Sequence, residues 1–449
     1  MTTPSEAPPA LTPGADTTPA TTAPATTTSA TTTVASTARP STPGADRAPR
    51  GTGRRPRLVA VDAARGLALV GMIAVHILPA HDPETFAPTL PWTLFGGRAA
   101  ALFALLAGLS LAFSSGGRTP HRGRELTATR AGLVVRALLI AAVGLGINEL
   151  MPSPAPALGI LVYYGAFFLL AVPLLGLRRR TLTAGAAVLA LTGPLLVHVL
   201  GPALPPPTAV NPTLGSLAAD PGAFLAQVLL TGTYPAVPYL SYLCAGLLLG
   251  RLDLHEIQVQ VRIVLVGVLL ALGAWFAYWL LILQSGGYEQ LVRHTPWLNE
   301  DRIDEILIWG PDPVLPTSTW WWLLTAGPHS NTPVTLLMDL GTGLAVLGAF
   351  LLLARANPLW TTLGAMGGRT LTLYSAHLLA LATTLHYGHP VLWFAVHLAV
   401  AAGFAVLWQK WFGQGPLERA VAAAVRGTRR LVLGGRHRPA ATPGAPAPR

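Results

Sequence analysis

Charge is scarce in this chain. Asp, Glu, Lys and Arg make up 11% of its 449 residues, where a soluble globular protein carries roughly 25%. The deficit excludes an ordinary water-facing surface. Together with 51% hydrophobic residues and a positive mean hydropathy, it points to a polytopic membrane protein. Acidic residues are scarcer still, 19 against 30 Lys and Arg, for a formal charge of +11. In a soluble protein that excess would suggest nucleic acid. Here the basic residues gather at the chain ends and in short loops between apolar runs, the pattern of cytoplasmic anchoring, so nucleic acid is discounted as a partner. There is one cysteine, Cys244, inside an apolar run. A single thiol excludes an intrachain disulfide and a cysteine-based metal cluster, and packing is its expected role. P-loop, GxSxG, HExxH and dinucleotide fingerprints are missing from any fitting context. Their absence argues against an ATP-driven pump or a membrane metalloprotease, and no metal is expected.

The ends are of low complexity. Residues 1–56 are Thr, Ala and Pro repeats leading into RAPRGTGRRPR. They cannot bury enough apolar area to offset ordering entropy, so a disordered cytoplasmic tail is expected. The tail holds no apolar segment of signal-peptide length, and no cleavable secretion signal is expected. Residues 415–449 are expected to form a second basic, Pro/Ala-rich cytoplasmic tail, disordered from about Arg426. Between them, residues 57–414 form the membrane domain.

What is abundant is apolar sequence in runs of bilayer length. A core about 30 Å thick needs roughly 20 apolar residues per helix. Ten segments qualify, near 58–78, 93–114, 131–149, 156–176, 182–201, 224–249, 263–283, 334–354, 367–387 and 390–412. With ten spans, Arg54, Arg55 and Arg57, then Arg118, Arg122, Arg124 and Arg130, then Arg178, Arg179 and Arg180, then Arg251, Arg262, Arg355, Lys410, Arg419 and Arg426 all fall on one side. The alternate loops are acidic or neutral. The positive-inside rule then places both termini in the cytoplasm of a multi-pass plasma-membrane protein. The fold class expected is all-α, a polytopic helix bundle in a lipid bilayer. One outer loop, 284–333, contains TPWLNEDRIDEILIWGPDP and TSTWWWLL. Charges and tryptophans together fit a short amphipathic helix at the interface, either a covering loop or a lid.

Ionisable groups inside the spans need a partner or a task. Asp62 and Arg65, three residues apart, share a face near the start of the first span; they are a local ion pair or an anchor for an anionic phosphate. His76 lies about 16 Å further along the axis, with His81, Asp82 and Glu84 in the following loop. Arg98, in LFGGRAAALFALLAGLSLAF, breaks the orientation pattern and has Asp82, Glu84, Glu149 and Asp339 as candidate partners. In GRTLTLYSAHLLAL, Arg369 stands at the cytoplasmic end, with Tyr374 and His377 on a shared face deeper in. In TGTYPAVPYLSYLCAGLLLGRLDL two prolines interrupt the ladder. Such a break is tolerated beside a cavity, which Tyr234, Tyr239 and Tyr242 would line unless they are merely packed.

The opening VDAARGLALVGMIAVH, with GRAAALFALLAGLSLAF, TGTYPAVPYLSYLCAGLLLGRLDL and GRTLTLYSAH, resembles the bacterial relatives of heparan-alpha-glucosaminide N-acetyltransferase, which share an RxxxxDxxRGxAxxGM start. The resemblance covers most of residues 57–412. It implies a transmembrane acyltransferase that takes an acetyl group from cytoplasmic acetyl-CoA and delivers it to an acceptor amine on the far side. Asp62 and Arg65 match the family's first-helix pair, and His76 a position commonly Asn or His. The family's catalytic histidine lies in the first outer loop, where His81 is the nearest counterpart, though followed here by Asp-Pro instead of a Trp-Asn-Gly context.

A physical account of the residues is compatible. Coenzyme A is a polyanion with a thin arm. Arg65 and Arg369 would hold its phosphates while the arm reaches towards His76, His81 and His377. A histidine base would deprotonate an acceptor amine or hydroxyl on a glycan, lipid or small molecule, with Arg98 or Tyr374 stabilising the oxyanion. Cys244 has no basic neighbour to activate it as a nucleophile. A secondary transporter and an envelope scaffold are the competing expectations. The oligomeric state is open, a homodimer included.

Overall fold

A membrane-spanning segment must satisfy its own backbone N–H and C=O groups, which a helix does within one run of chain. The computed structural model describes residues 59–207, 209–312, 314–353 and 357–434. Among them every regular element is helical, and the single bridge of extended type joins His81 and Pro88. The chain runs through α1 (Val59–Ile77), the short α2 (Leu90–Phe95), α3 (Arg98–Ser114), α4 (Gly123–Glu149), α5 (Leu161–Ala171) and α6 (Arg179–Leu200). Two short helices, α7 (Leu214–Ala219) and α8 (Pro221–Ala226), lead through a wide π turn at Gln227–Thr231 into α9 (Ala236–Leu249). Then come α10 (Ile257–Tyr278), α11 (Gly287–His294), α12 (Glu300–Trp309) and α13 (Pro333–Leu353). The chain closes with α14 (Pro358–Gly367), α15 (Thr370–Leu381), α16 (Pro390–Trp411) and α17 (Pro416–Gly434).

Among the described residues seven helical stretches are long and apolar enough to cross a membrane: Val59–Ile77, Leu90–Ser114, Gly123–Glu149, Arg179–Ala203, Ile257–Gln284, Pro333–Leu353 and Pro390–Trp411. The protein is an all-α polytopic membrane helix bundle. The other three expected segments are helical but shorter, and local sequence explains each. Leu161–Gly176 tightens to a 3-10 turn around Pro173. The segment expected at 224–249 breaks between Thr231 and Ala236, where Pro235 supplies no N–H. α15 is cut off from α14 by the Gly367–Gly368 turn and stops before Thr384, whose φ of 59° is left-handed.

Small residues set which helices meet. A Cβ on Gly66 of α1 would overlap the carbonyl of Leu363, and one on Gly367 would overlap the carbonyl of Asp62. α1 and α14 therefore cross backbone to backbone. Gly108 of α3 and Gly246 of α9 are reciprocal in the same way, against Leu243 and Leu105. These crossings put α1 at the centre, with 72% of its apolar window buried, and leave α10 and α16 at the lipid-facing edge with 17% and 11%.

Two regions depart from the sequence-based expectation. The stretch from Arg426 is not a disordered tail throughout, because α17 continues to Gly434. Its Val425 packs on Gly132 of α4, and Arg429 donates to Thr129 Oγ1 at 2.6 Å. Arg124 of α4 in turn donates to the carbonyls of Val432 and Leu433 at 3.0 and 3.1 Å. The arginines that suggest a solvated tail are what pin it. The segment 284–333, expected as an outer loop, is more than one interfacial helix. It folds into α11, α12 and a 3-10 turn around its own core of Ile282, Leu291, Ile303, Ile306 and Trp322, with the Trp322 indole donating to Thr295 Oγ1 at 3.1 Å. The expected N-terminal tail, 1–56, the first two residues of the expected membrane domain, the remaining tail residues 435–449 and Arg355 lie outside the described residues.

Candidate functional site

On the face that carries the start of α1, the helices enclose a cavity of about 310 Å³. α1 contributes Arg65 and Met72, seven residues apart and so on one stripe. α3 adds Ala107 and Ser110, α4 adds Arg136, and α5 adds Tyr164 and Phe168. The turn into α15 supplies Gly367, Gly368 and Thr370, with Tyr374 one helical turn further in, and α17 closes one side with Glu418 and Val421.

The charges in this cavity are unequally satisfied. Arg65 Nη1 donates to Asp62 Oδ1 at 2.6 Å and Nη2 to Ser110 Oγ. Glu418 is held at the N-terminus of α15, where Oε1 accepts the Thr372 N–H at 3.1 Å and Oε2 the Thr372 hydroxyl at 2.6 Å. That is where a helix dipole favours an anion. Arg136, halfway along the α4 span, makes no hydrogen bond or ion pair among the described residues. It lies within electrostatic range of Arg65 and Glu418. The Tyr164 hydroxyl, on the same wall, is buried without a hydrogen-bond partner among the described residues. An intramembrane guanidinium and a hydroxyl left unpaired beside an open volume are what an anionic ligand would satisfy.

The inner end of the cavity is Tyr374, whose hydroxyl lies 3.4 Å from both the Ile160 N–H and the Leu158 carbonyl. Behind it sit two histidines. His76 Nδ1 and His377 Nε2 are 3.2 Å apart, with the rings near-parallel at 5.4 Å, and each ring centroid is 6.4 Å from that of Tyr374. His397 of α16 packs edge-on to His377 at 5.1 Å.

The opposite face has clefts of its own. One of about 410 Å³ lies between the 201–207 turn and the 284–333 segment and is lined by Trp297, Arg302 and Asp312. A smaller one, about 50 Å³, shares Thr231 and Thr317 with it and reaches His329 and Asn331. Both of these residues have left-handed backbones, with φ of 58° and 54°. The Asn331 amide donates to the His329 carbonyl at 2.8 Å, and the His329 ring sits edge-on to Tyr234. Burial pushes the His329 imidazole down to a pKa of about 4.

The structure thus joins some of the sequence-predicted residues and separates others. Arg65 with Asp62, and His76 with His377, come together around Tyr374. Arg98 pairs with Asp339, 3.8 Å away, and donates to the Thr93 carbonyl. Of its other candidate partners, Glu149 accepts from Leu214 N–H at 3.1 Å. Asp82 accepts the backbone N–H groups of Thr85 and Glu84, which hold its carboxyl below the usual range. Arg369 does not line the cavity although its neighbours do. Its guanidinium binds the Ala365 carbonyl at 2.6 Å, Gln409 Oε1 at 3.2 Å and the Gly413 carbonyl, tying α15 to the end of α16. Tyr234 and Tyr239 are packed against Tyr163 and Phe167, away from this cavity. His81 is exposed on the loop after α1, stacked on Phe86 and edge-on to Trp309. Among the described residues it has no hydrogen bond or ring contact with the histidine pair.

Residues 57–282 match the family model for heparan-alpha-glucosaminide N-acetyltransferase, catalytic. The chain belongs to this acetyltransferase family. No curated protein matches it. The match takes in Asp62, Arg65, His76, His81, Arg98 and Arg136, but ends before α13. The GRTLTLYSAH stretch, with Tyr374 and His377, therefore stands beyond the N-acetyltransferase match and joins the site by geometry alone. Four residues of the arrangement are absent from the sequence-based set: Arg136, His329, His397 and Glu418. Arg136 and His397 stand inside apolar runs, VVRALL and FAVHLA, and the rule that singles out Arg98 would have found them. Glu418 and His329 carry no such signal.

Proposed function

We propose that this chain is a transmembrane acyltransferase that takes an acyl group, acetyl by family kinship, from cytoplasmic acyl-CoA and transfers it to an amine or hydroxyl acceptor on the opposite face. The observation that carries the reading is Arg136, an arginine with no hydrogen-bond or ion-pair partner among the described residues, which lines with Arg65 a cavity that ends at Tyr374, with the histidine pair behind it. The arginine-rich α17 and the loops flanking the cavity mouth support placing that face in the cytoplasm. The two guanidiniums would hold the donor's phosphates, and the narrow apolar wall past Met72 and Ala107 would guide its arm to Tyr374. His76 would then accept the acceptor's proton as the lone pair attacks the thioester carbonyl. The carbon–sulfur bond breaks, and the thiolate takes the proton back from the histidine. Tyr374, turning its hydroxyl from the Leu158 carbonyl, would donate to the oxyanion. The clefts containing Trp297, Arg302 and His329 would admit the acceptor, a glycan, lipid or small amine of the envelope.

The test is titration of purified protein in detergent with acetyl-CoA and with free CoA, followed by thiol release in the presence of a simple amine such as glucosamine. Saturable binding, weakened at least tenfold by Arg136→Ala, with thioester cleavage that depends on His76, is the expected result. Protein that neither binds acyl-CoA nor cleaves it overturns the proposal. A carrier would bind a solute and leave the thioester intact.

A further inference from the structure

Three imidazoles from three helices form a row: His76 on α1, His377 on α15 and His397 on α16. Hydrogen bonding at the far end of the row constrains the near end. His397 Nδ1 is 2.8 Å from the Trp393 carbonyl, which can only accept, so the proton of a neutral His397 is on Nδ1. Its Nε2 is then a bare lone pair, buried without a hydrogen-bond partner among the described residues. In the adjacent ring, whose centroid is 5.1 Å away and which is nearly perpendicular, His377 Nδ1 is also buried with no hydrogen-bond partner among the described residues. A lone pair and a neighbouring nitrogen that are both unsatisfied are best met when His377 Nδ1 carries the hydrogen, donated across the gap after a small ring rotation or through one water. His377 Nε2 is then the acceptor in its 3.2 Å contact with His76 Nδ1, so His76 is the Nδ1–H tautomer. His76 Nε2, which has no hydrogen-bond partner among the described residues, is left as a lone pair.

We propose that His397, through His377, fixes His76 in the tautomer that presents a basic Nε2, and that the row carries the acceptor's proton during transfer. The tautomer assignment rests on the ring geometry together with that small rotation or bridging water, while the role in transfer rests on the acyltransferase reading. In the transfer, a proton arriving at His76 Nε2 releases Nδ1–H to His377 Nε2. His377 Nδ1–H passes to His397 Nε2, whose other N–H stays on the Trp393 carbonyl. When the thiolate leaves, the steps reverse, His76 Nε2–H protonates sulfur, and all three rings regain their starting tautomers. Among the described residues the other polar rings around the row are Tyr374, His329, His386 and Trp393, whose indole packs edge-on to His397 at 6.3 Å. His386 is electrostatically coupled to His397. His397 is thus a positioning residue, since it need touch neither donor nor acceptor.

The experiment is ¹⁵N-histidine NMR of the full-length protein in lipid nanodiscs, where ring ¹⁵N shifts and N–H couplings report each tautomer directly. Wild type should show His76, His377 and His397 protonated at Nδ1. His397→Phe keeps the shape of the ring and removes the acceptor, and should convert His76 to a mixture of tautomers. His397→Gln, whose amide oxygen reaches the Nε2 position, should restore the wild-type pattern. His76 found in the Nε2–H form, or populations unmoved by His397→Phe, overturns the proposal. If wild type also turns over acyl-CoA, His397→Phe should lower kcat about tenfold with KM unchanged. Absence of turnover in wild type would count against the acyltransferase reading and leave the tautomer result intact.

Discussion

Arg136 and His81 pull the site in opposite directions, and single substitutions separate them. A guanidinium that hydrogen-bonds a phosphate contributes about 1.5–3 kcal/mol, so Arg136→Ala should weaken acyl-CoA binding by roughly ten- to a hundredfold. Arg136→Lys should recover only part of this, because an ammonium cannot match the two-pronged geometry of the fork. Isothermal titration of the two variants checks the order. His81, exposed and stacked on Phe86, should tolerate alanine with less than a tenfold loss of turnover. His76→Ala and His377→Ala should each lose about a hundredfold or more, the usual worth of a positioned base. A large loss at His81 with little at His76 would move the chemistry to the loop. At this scale the sequence is partly readable. Arg65, His76, Tyr374 and His377 are all visible as polar groups in greasy runs, and they do converge. What the runs cannot reveal is side-chain direction: Arg369 stands one residue from the cavity lining, yet its guanidinium turns to the Ala365 and Gly413 carbonyls.

At the level of elements, the long spans are legible because bilayer thickness fixes their length, and α9, α14 and α15 are less so because tertiary burial shelters shorter or broken helices. α17 is the least legible, since Ala, Val and Arg at helical spacing read equally well as a solvated tail until α4 is placed beside it. Its position makes it a latch. Glu418 caps α15 through Thr372, and Val421 closes the cavity wall. Glu418→Ala removes both hydrogen bonds at a helix N-terminus, a change that costs about 1 kcal/mol in such settings. The expected outcome is a melting temperature lower by a few degrees and faster dissociation of bound acyl-CoA, measured by stopped-flow displacement. If α17 is only a surface strut, the melting temperature falls and the dissociation rate stays the same.

Over the whole molecule, the buried histidines outside the spans give stability a pH dependence whose sign can be worked out. His329 falls from 6.5 to about 4 through burial, and His386 is lowered by burial first and by His397 second. A histidine with a depressed folded pKa binds a proton more readily unfolded. Between about pH 6.5 and 4 the unfolded chain therefore takes up protons that the folded chain refuses, and stability falls as pH falls. Above pH 6.5 the contribution is complete. Two and a half pKa units correspond to at most about 3 kcal/mol for His329, less where solvent reaches the ring and screens it. Asp82 acts in the same direction but in a separate window, since its lowered carboxyl loses its hydrogen-bond advantage only below about pH 4. Thermal melts in nanodiscs should accordingly be flat from pH 8 to 6.5 and drop towards pH 4.5. His329→Asn, which has no proton to gain there, should flatten much of that drop while lowering stability at pH 7.5. Asp82→Asn should leave the pH 4.5–6.5 slope in place. A wild-type curve that rises on acidification would mean that His329 is held protonated by an anion at the outer cleft, and the cleft would then be an anion site in place of an acceptor path.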